Sequence, residues 1–403
     1  MRRFALLILL FAVPLVASAH EGHGGIEVID VSGPLDASAL EFMAESIEAA
    51  AASGQELAVL QVNSRAVLDE EGYERLRQLV ANPPLPLAVW VGPSPALAYG
   101  GLAVLVNEAE VAAIAPPGSE IGLSRPEVLG VDPEPAEPGE ILTAEATSLD
   151  LQPSLRQYLQ ALDGRTFSTA NGPVTVSTLQ EFGDGVTLKE VTFRKPGLGT
   201  RFFRLAVNPE AAFLFLMVGL TILAFEFYAL GPGVAAGVAA VSLLLGGWGA
   251  LTLPVRGWAL ALALLGWVLL TAAHQKGGIF ALSALGAVAL QVAGTFYIDG
   301  AAQLDPRWWL VLPTVLAVLL FYLIAMPVVQ RSRLSTHSIG RDHLIGQKGV
   351  ALVDFDPDGA VEVSGARWRA TAHREAGIRS GDPVVVTGVD GLYLEVEPAV
   401  REN

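Results

Sequence analysis

Short, β-branched apolar runs alternate with longer polar stretches of helical periodicity across residues 20–205. Ile26–Val31, Glu56–Val62, Leu85–Val91 and Val111–Ala115 read as strands. Ala39–Ala52 and Asp69–Val80 read as helices, the second with Leu76, Leu79 and Val80 on one face. Strands separated by helices predict a mostly parallel α/β domain. After about Pro126 the pattern gives way to Val131-Asp-Pro-Glu-Pro-Ala-Glu-Pro-Gly139, a Pro/Glu-rich stretch that reads as a loop, and the fold resumes near Ser154.

From Ala211 to Val329 the polar positions almost vanish. Apolar stretches near 211–230, 233–251, 257–273, 279–297 and 308–329 each approach the length of a bilayer-spanning helix, which predicts five spans, the third short. Gly and Ala are frequent in spans two to four, as expected where helices pack closely in lipid. Residues 345–398 then return to strand-like alternation in five short runs, Gly349–Val353, Ala360–Val363, Ala366–Thr371, Pro383–Thr387 and Leu392–Val396. Asp-Pro-Asp-Gly, Ser-Gly, Ser-Gly-Asp and Val-Asp-Gly turns separate them, the pattern of a small all-β barrel such as an OB-fold.

Composition sharpens this picture: 403 residues, 52% hydrophobic and 16% charged, are too many for one average domain and too apolar for an ordinary soluble one. Arg2 and Arg3 precede the apolar run Phe4–Val13, and Ala17-Ser-Ala19 supplies a small-x-small pattern, so residues 1–19 read as a cleavable export signal. The following domain is then exported. An odd number of spans leaves the C-terminus inside, with Arg331 and Arg333 obeying the positive-inside rule. A net charge of −16 without a clustered basic face argues against a nucleic-acid partner. The absence of cysteine excludes disulfides, thiolate metal sites and a cysteine nucleophile.

The order of parts resembles the long-form NfeD family of membrane-bound, ClpP-class serine protease homologues. The barrel carries the resemblance most strongly, through Gly346, Gly349-Val-Ala, Pro357-x-Gly359, Val361, Gly365, Trp368-x-Ala370, Gly381, Val384, Val386 and Gly391-Leu-x-Leu-x-Val-x-Pro398. Asn208-Pro and Glu226 before Gly231-Pro-Gly233 add to it in the bundle. Upstream, so do Val31-x-Gly-Pro-x-Asp36, Pro86-x-x-Val-x-Val91 and Ile114-Ala-Pro followed by Ile121-Gly122. The resemblance implies a multidomain membrane protein: signal peptide 1–19, a ClpP/crotonase-like α/β domain 20–205 shortened at about 126–150, a transmembrane helical bundle 206–332, and an NfeD-type OB-fold barrel 340–403.

In active relatives a serine in a tight turn attacks, a lysine on a later helix takes its proton, and a Pro-Gly-Gly turn helps form the oxyanion hole. The chemistry needs all three, because a neutral hydroxyl is a weak nucleophile without a base and the tetrahedral intermediate needs fixed donors. Here the serine position falls on Gly100 or Gly101, the Pro-Gly-Gly position after Val62-Asn-Ser64 reads Arg65-Ala-Val67, and no lysine precedes Lys189. Ser94, Ser119 and Ser124 lie nearby as substitute nucleophiles, while Lys189 and Lys195 fall in a basic segment, with Arg194, Arg201 and Arg204, that suits phospholipid headgroups. No catalytic, cofactor or metal residue is therefore assigned.

Several residues stay open to more than one role. His20 and His23 could chelate a metal at the exported terminus or belong to an unstructured tip. Glu226, the carboxylate well inside a span, is a functional candidate or part of a packed interface. Trp308 and Trp309 suit an interfacial belt, and Trp368 suits barrel packing over base stacking. The expected function is a non-catalytic scaffold in the bacterial-type inner membrane, possible as a homo-oligomer, working with a stomatin- or flotillin-like band-7 protein in membrane organisation or quality control. The alternatives are a membrane serine endopeptidase with a relocated site and, more weakly, transport through the bundle at Glu226.

Overall fold

A computed structural model describes residues 24–123, 127–129, 139–182, 185–229, 233–299, 303–328, 342–373 and 376–399. The export-signal segment, His20, His23, Ser124, most of the Pro/Glu loop, Gly231, Pro232, Arg331 and Arg333 lie outside the described residues. The α/β region begins with β1 (Ile26–Ser32), α1 (Ala37–Ala52), β2 (Leu57–Asn63), α2 (Glu70–Ala81) and β3 (Leu87–Val91). Then come β4 (Leu97–Tyr99), α3 (Gly101–Glu108), β5 (Ala112–Ile114), β6 (Glu120–Gly122), β7 (Ile141–Thr143), β8 (Asp150–Leu151) and α4 (Leu155–Ala161). Two hairpins follow, β9 (Thr166–Thr169) with β10 (Gly172–Thr175) and β11 (Leu179–Phe182) with β12 (Gly185–Leu188), before β13 (Val191–Arg194) and α5 (Leu198–Arg204).

Six strands make one parallel sheet in the order β13-β1-β2-β3-β5-β8. A parallel sheet covered on both faces needs continuous apolar strands, and β3 is buried at all five positions. On one face Ile29, Leu60 and Val89 pack with Leu40, Met43 and Leu76 from α1 and α2. On the other, Val28, Val59 and Trp90 pack with Tyr158, Leu159 and Phe167. Asp69 ends the turn before α2 by accepting from the Gly72 N–H at 2.8 Å, a carboxylate N-cap. A second, three-stranded sheet β4-β6-β7 stands beside the first.

The edge strand β13 corrects the reading of the basic segment as headgroup-facing. Lys189 pairs with Glu56, Arg194 with the buried Glu27, Lys195 with Asp30 and Arg204 with Asp36. The bases sit on the returning edge of the sheet, where β1 and its neighbours already present carboxylates. Arg204 is largely buried and also donates to the Ser32 carbonyl at 2.7 Å and the Pro34 carbonyl at 3.3 Å. It thereby fastens the α/β region to the chain entering the first apolar helix.

Five apolar helices follow: α6 (Pro209–Ala229), α7 (Val234–Thr252), α8 (Gly257–Gln275), α9 (Phe280–Thr295) and α10 (Trp308–Leu320). Each of the five apolar stretches becomes a helix. Four, counted through Val328 for the last, are long and apolar enough to cross a membrane, while α9 has 16 residues. At about 1.5 Å per residue α9 is about 24 Å long, short of a hydrocarbon core of about 30 Å. It nonetheless returns beside α8 to the end where α10 begins: Val255 bridges Ile298, and Arg256 pairs with Asp299. Gly266 and Gly286 make the α8–α9 approach possible, because a Cβ on either would stand 2.9 Å from the other's carbonyl oxygen.

The C-terminal unit is a closed barrel in the order β14-β15-β16-β18-β17, with β14 (Lys348–Ala351), β15 (Asp358–Val363), β16 (Ala366–Thr371), β17 (Pro383–Asp390) and β18 (Tyr393–Pro398). The β16–β18 pair is parallel and the other neighbours are antiparallel. Val361, Val363, Val384, Val386, Leu394 and Val396 fill it, with Trp368 packed against them half-buried.

Candidate functional site

Strand β4 runs into helix α3 through Gly100, a strand–turn–helix arrangement of the kind that presents nucleophiles. Gly100 holds φ 62° and ψ −130°, a conformation that side chains adopt only under strain. Its N–H donates to the Gly122 carbonyl at 2.9 Å, and its own carbonyl accepts from Ala103 at 3.0 Å to start the helix. The next position is closed to any side chain. A Cβ on Gly101 would stand 2.9 Å from the Glu127 carbonyl oxygen and 3.0 Å from the Tyr73 ring. Of the two positions left open by the sequence, Gly101 cannot carry a side chain without displacing its neighbours.

The short segment Glu127–Leu129 crosses in front of this turn. The Gly101 N–H donates to the Glu127 carbonyl at 2.8 Å, Leu129 N–H donates to Val67 at 2.8 Å, and Val128 bridges Val67. The amide following Gly100, the natural donor for an oxyanion at a residue there, is thus already bonded. In the Arg65-Ala-Val67 loop the Ala66 N–H reaches Ser64 Oγ at 3.2 Å, and the flanking amides are bonded too, Ser64 N–H to Leu97 O at 2.7 Å and Leu68 N–H to Leu35 O at 2.8 Å. Tyr73 lies buried beneath, its hydroxyl donating to Gly101 O at 3.1 Å and to the Glu127 carboxylate at 3.3 Å. Burial, with Glu127 beside it, raises the phenol's pKa well above the ordinary range, so it stays a protonated donor and supplies no base at neutral pH.

Of the substitute nucleophiles, Ser94 and Ser119 are not brought to a base among the described residues, and Ser124 lies outside them. Ser119 is fully buried and its Oγ accepts from Ala96 N–H at 2.9 Å. Ser94 donates to the Pro117 carbonyl. The ammonium groups of Lys189 and Lys195 are held by Glu56 and Asp30. Glu226 stands half-buried near the end of α6, without an ion pair among the described residues. Trp308 and Trp309 are exposed on the first turn of α10. Tyr73, Glu127 and Val128 were missed from the sequence. The Gly100-Gly101 pair was the one sequence signal here, since a residue without Cβ lets another segment approach the backbone closely.

A family model of the NfeD integral membrane domain matches residues 210–326, and one of the NfeD-like C-terminal, partner-binding domain matches residues 341–398. The membrane-bound protease PH1510 of Pyrococcus horikoshii is 24% identical over 221 residues, which is 53% of this chain and 49% of the relative, so the match spans about half of that protein's length. Among solved structures, the 1510-N membrane protease specific for a stomatin homolog, from the same organism, is 16% identical, with 45% of this chain and 98% of that one covered and a TM-score of 0.36. The C-terminal domain of stomatin operon partner protein 1510-C, also from Pyrococcus horikoshii, is 30% identical, with 16% of this chain and 98% of that one covered and a TM-score of 0.15. Along this chain the NfeD integral membrane domain and the NfeD-like C-terminal, partner-binding domain are thus matched in order, over residues 210–326 and 341–398.

Proposed function

We propose that this protein is a non-catalytic membrane scaffold whose C-terminal barrel docks a stomatin- or flotillin-like band-7 protein. The loss of catalysis is carried by one observation: at the strand–turn–helix site, the amide after Gly100 is spent on Glu127 and neither glycine offers a hydroxyl. The partner reading is supported by the partner-binding barrel and by relatives described as acting on, or encoded with, a stomatin. The barrel's strand order, with one parallel pair closing it, supports an OB-fold. In this reading residues 20–205 are exported across a bacterial-type inner membrane, and the barrel is cytoplasmic.

The test has two arms on the full-length protein in detergent. A fluorophosphonate probe should leave it unlabelled; labelling that disappears in a Ser94→Ala, Ser119→Ala or Ser124→Ala variant would establish the relocated-site endopeptidase instead. Affinity purification from membranes should recover a band-7 protein with the full chain and lose it when residues 340–403 are removed. Recovery that survives the truncation would move docking to another part.

A further inference from the structure

Between the vacated turn and the start of α10 lies a cleft of about 480 Å³. It is lined by two arginines, Arg65 and Arg307, and two carboxylates, Glu120 and Asp305. Neither guanidinium makes an ion pair or hydrogen bond among the described residues. Glu120 accepts from the Tyr99 hydroxyl, which keeps that acid on the wall. Leu123 and Ile141 add an exposed apolar lip.

The placement of the cleft limits what it can meet. Arg307 directly precedes Trp308 and Trp309, both exposed on the first turn of an apolar helix, where a membrane protein meets its headgroup layer. Arg65 stands on the opposite wall, in the loop where active relatives keep Pro-Gly-Gly. A guanidinium fork matches phosphate oxygens, and a carboxylate matches a primary ammonium. Two free cations and two anions facing one cleft at headgroup level are complementary to a zwitterion carrying both groups.

We propose that this cleft seats the headgroup of an aminophospholipid of the phosphatidylethanolamine type, its phosphate on Arg65 and Arg307 and its ammonium on Asp305 and Glu120. The apolar lip receives the first carbons of the acyl chains. Partial desolvation within the cleft holds the Asp305 carboxyl above its ordinary value although the residue stays accessible, with Arg256 opposing, and an ammonium beside it would relieve that cost. Lipid seating depends on the membrane placement of α10 and is independent of whether the turn at Gly100 has lost catalysis.

The experiment reconstitutes the full chain in nanodiscs of equal parts phosphatidylethanolamine, phosphatidylcholine and phosphatidylglycerol, then counts retained lipid by native mass spectrometry after transfer to detergent. Phosphatidylethanolamine should be enriched about tenfold over the other two, the size of one or two charge-assisted hydrogen bonds. The Arg65→Gln/Arg307→Gln double variant should abolish the enrichment, and Asp305→Asn should reduce it while phosphatidylglycerol is retained as before. These side chains are at the surface, and an unchanged thermal transition verifies that each variant folds. Equal retention of the three lipids, a preference for phosphatidylglycerol, or an unaltered double variant would overturn the proposal. So would free phosphoethanolamine or a peptide with a free carboxyl terminus displacing the lipid at stoichiometric concentration.

Discussion

Gly100 and Gly101 differ in what they forbid. At Gly100 the backbone is in a region that costs a side chain about 1–3 kcal/mol, whereas at Gly101 the Glu127 carbonyl and Tyr73 ring fill the space a Cβ needs. A Gly100→Ser variant should therefore lose about 1–3 kcal/mol of stability and gain no probe labelling. Gly101→Ser should lose about as much through overpacking. Thermal unfolding and fluorophosphonate labelling of the two variants measure both outcomes. Glu27 makes a second residue-scale case. Burial raises its carboxyl pKa, and Arg194 only partly offsets this. A raised carboxyl favours folding below its unfolded value of about 4.5 and loses that advantage as pH rises through its folded value. Glu27→Gln should thus have a melting temperature that gains on the wild type between pH 4 and pH 7; a constant difference across that range would contradict the burial argument.

At the scale of elements, periodicity located what it could. Strands β1, β2, β3 and β5, helices α1 and α2, the five apolar helices and all five barrel strands were legible, because each repeats its apolar positions often enough to define a face, whereas the short β4 and α3 around Gly100 were not. The two-residue β8, the hairpins after α4 and the edge strand β13 were not, since short or half-exposed strands have too few buried positions to mark a period. The same elements decided the basic segment, whose charges find carboxylates on neighbouring strands. Arg204 is the strongest instance, with Asp36 and two carbonyls around one buried guanidinium. Arg204→Ala should destabilise the α/β region by about 3–5 kcal/mol by leaving Asp36 buried and unpaired. Arg204→Lys should rescue little, because an ammonium cannot fork to the three acceptors. Chemical denaturation of the two variants gives the comparison.

For the whole molecule, the number of crossings depends on α9, the one apolar helix too short by length alone. Its return to the end where α8 and α10 begin argues that the five helices traverse one slab, with the bilayer thinning or the flanks reaching outward around α9. If the α/β region is exported as proposed, a protease added outside spheroplasts should cleave in that region and spare the barrel. Cleavage of both from the same side would mean an even number of crossings. The sequence by itself determined the order of the apolar and alternating segments, the apolar stretches, the barrel pattern and the glycine pair at 100 and 101, because composition and local period are properties of neighbouring residues. Only the tertiary structure decided that the segment at Glu127 covers the turn at Gly100, that Arg204 ties the sheet to the first apolar helix, and that Arg65 and Arg307 share one cleft. Those pairs lie far apart along the chain, and their meeting depends on how sheet and helices pack.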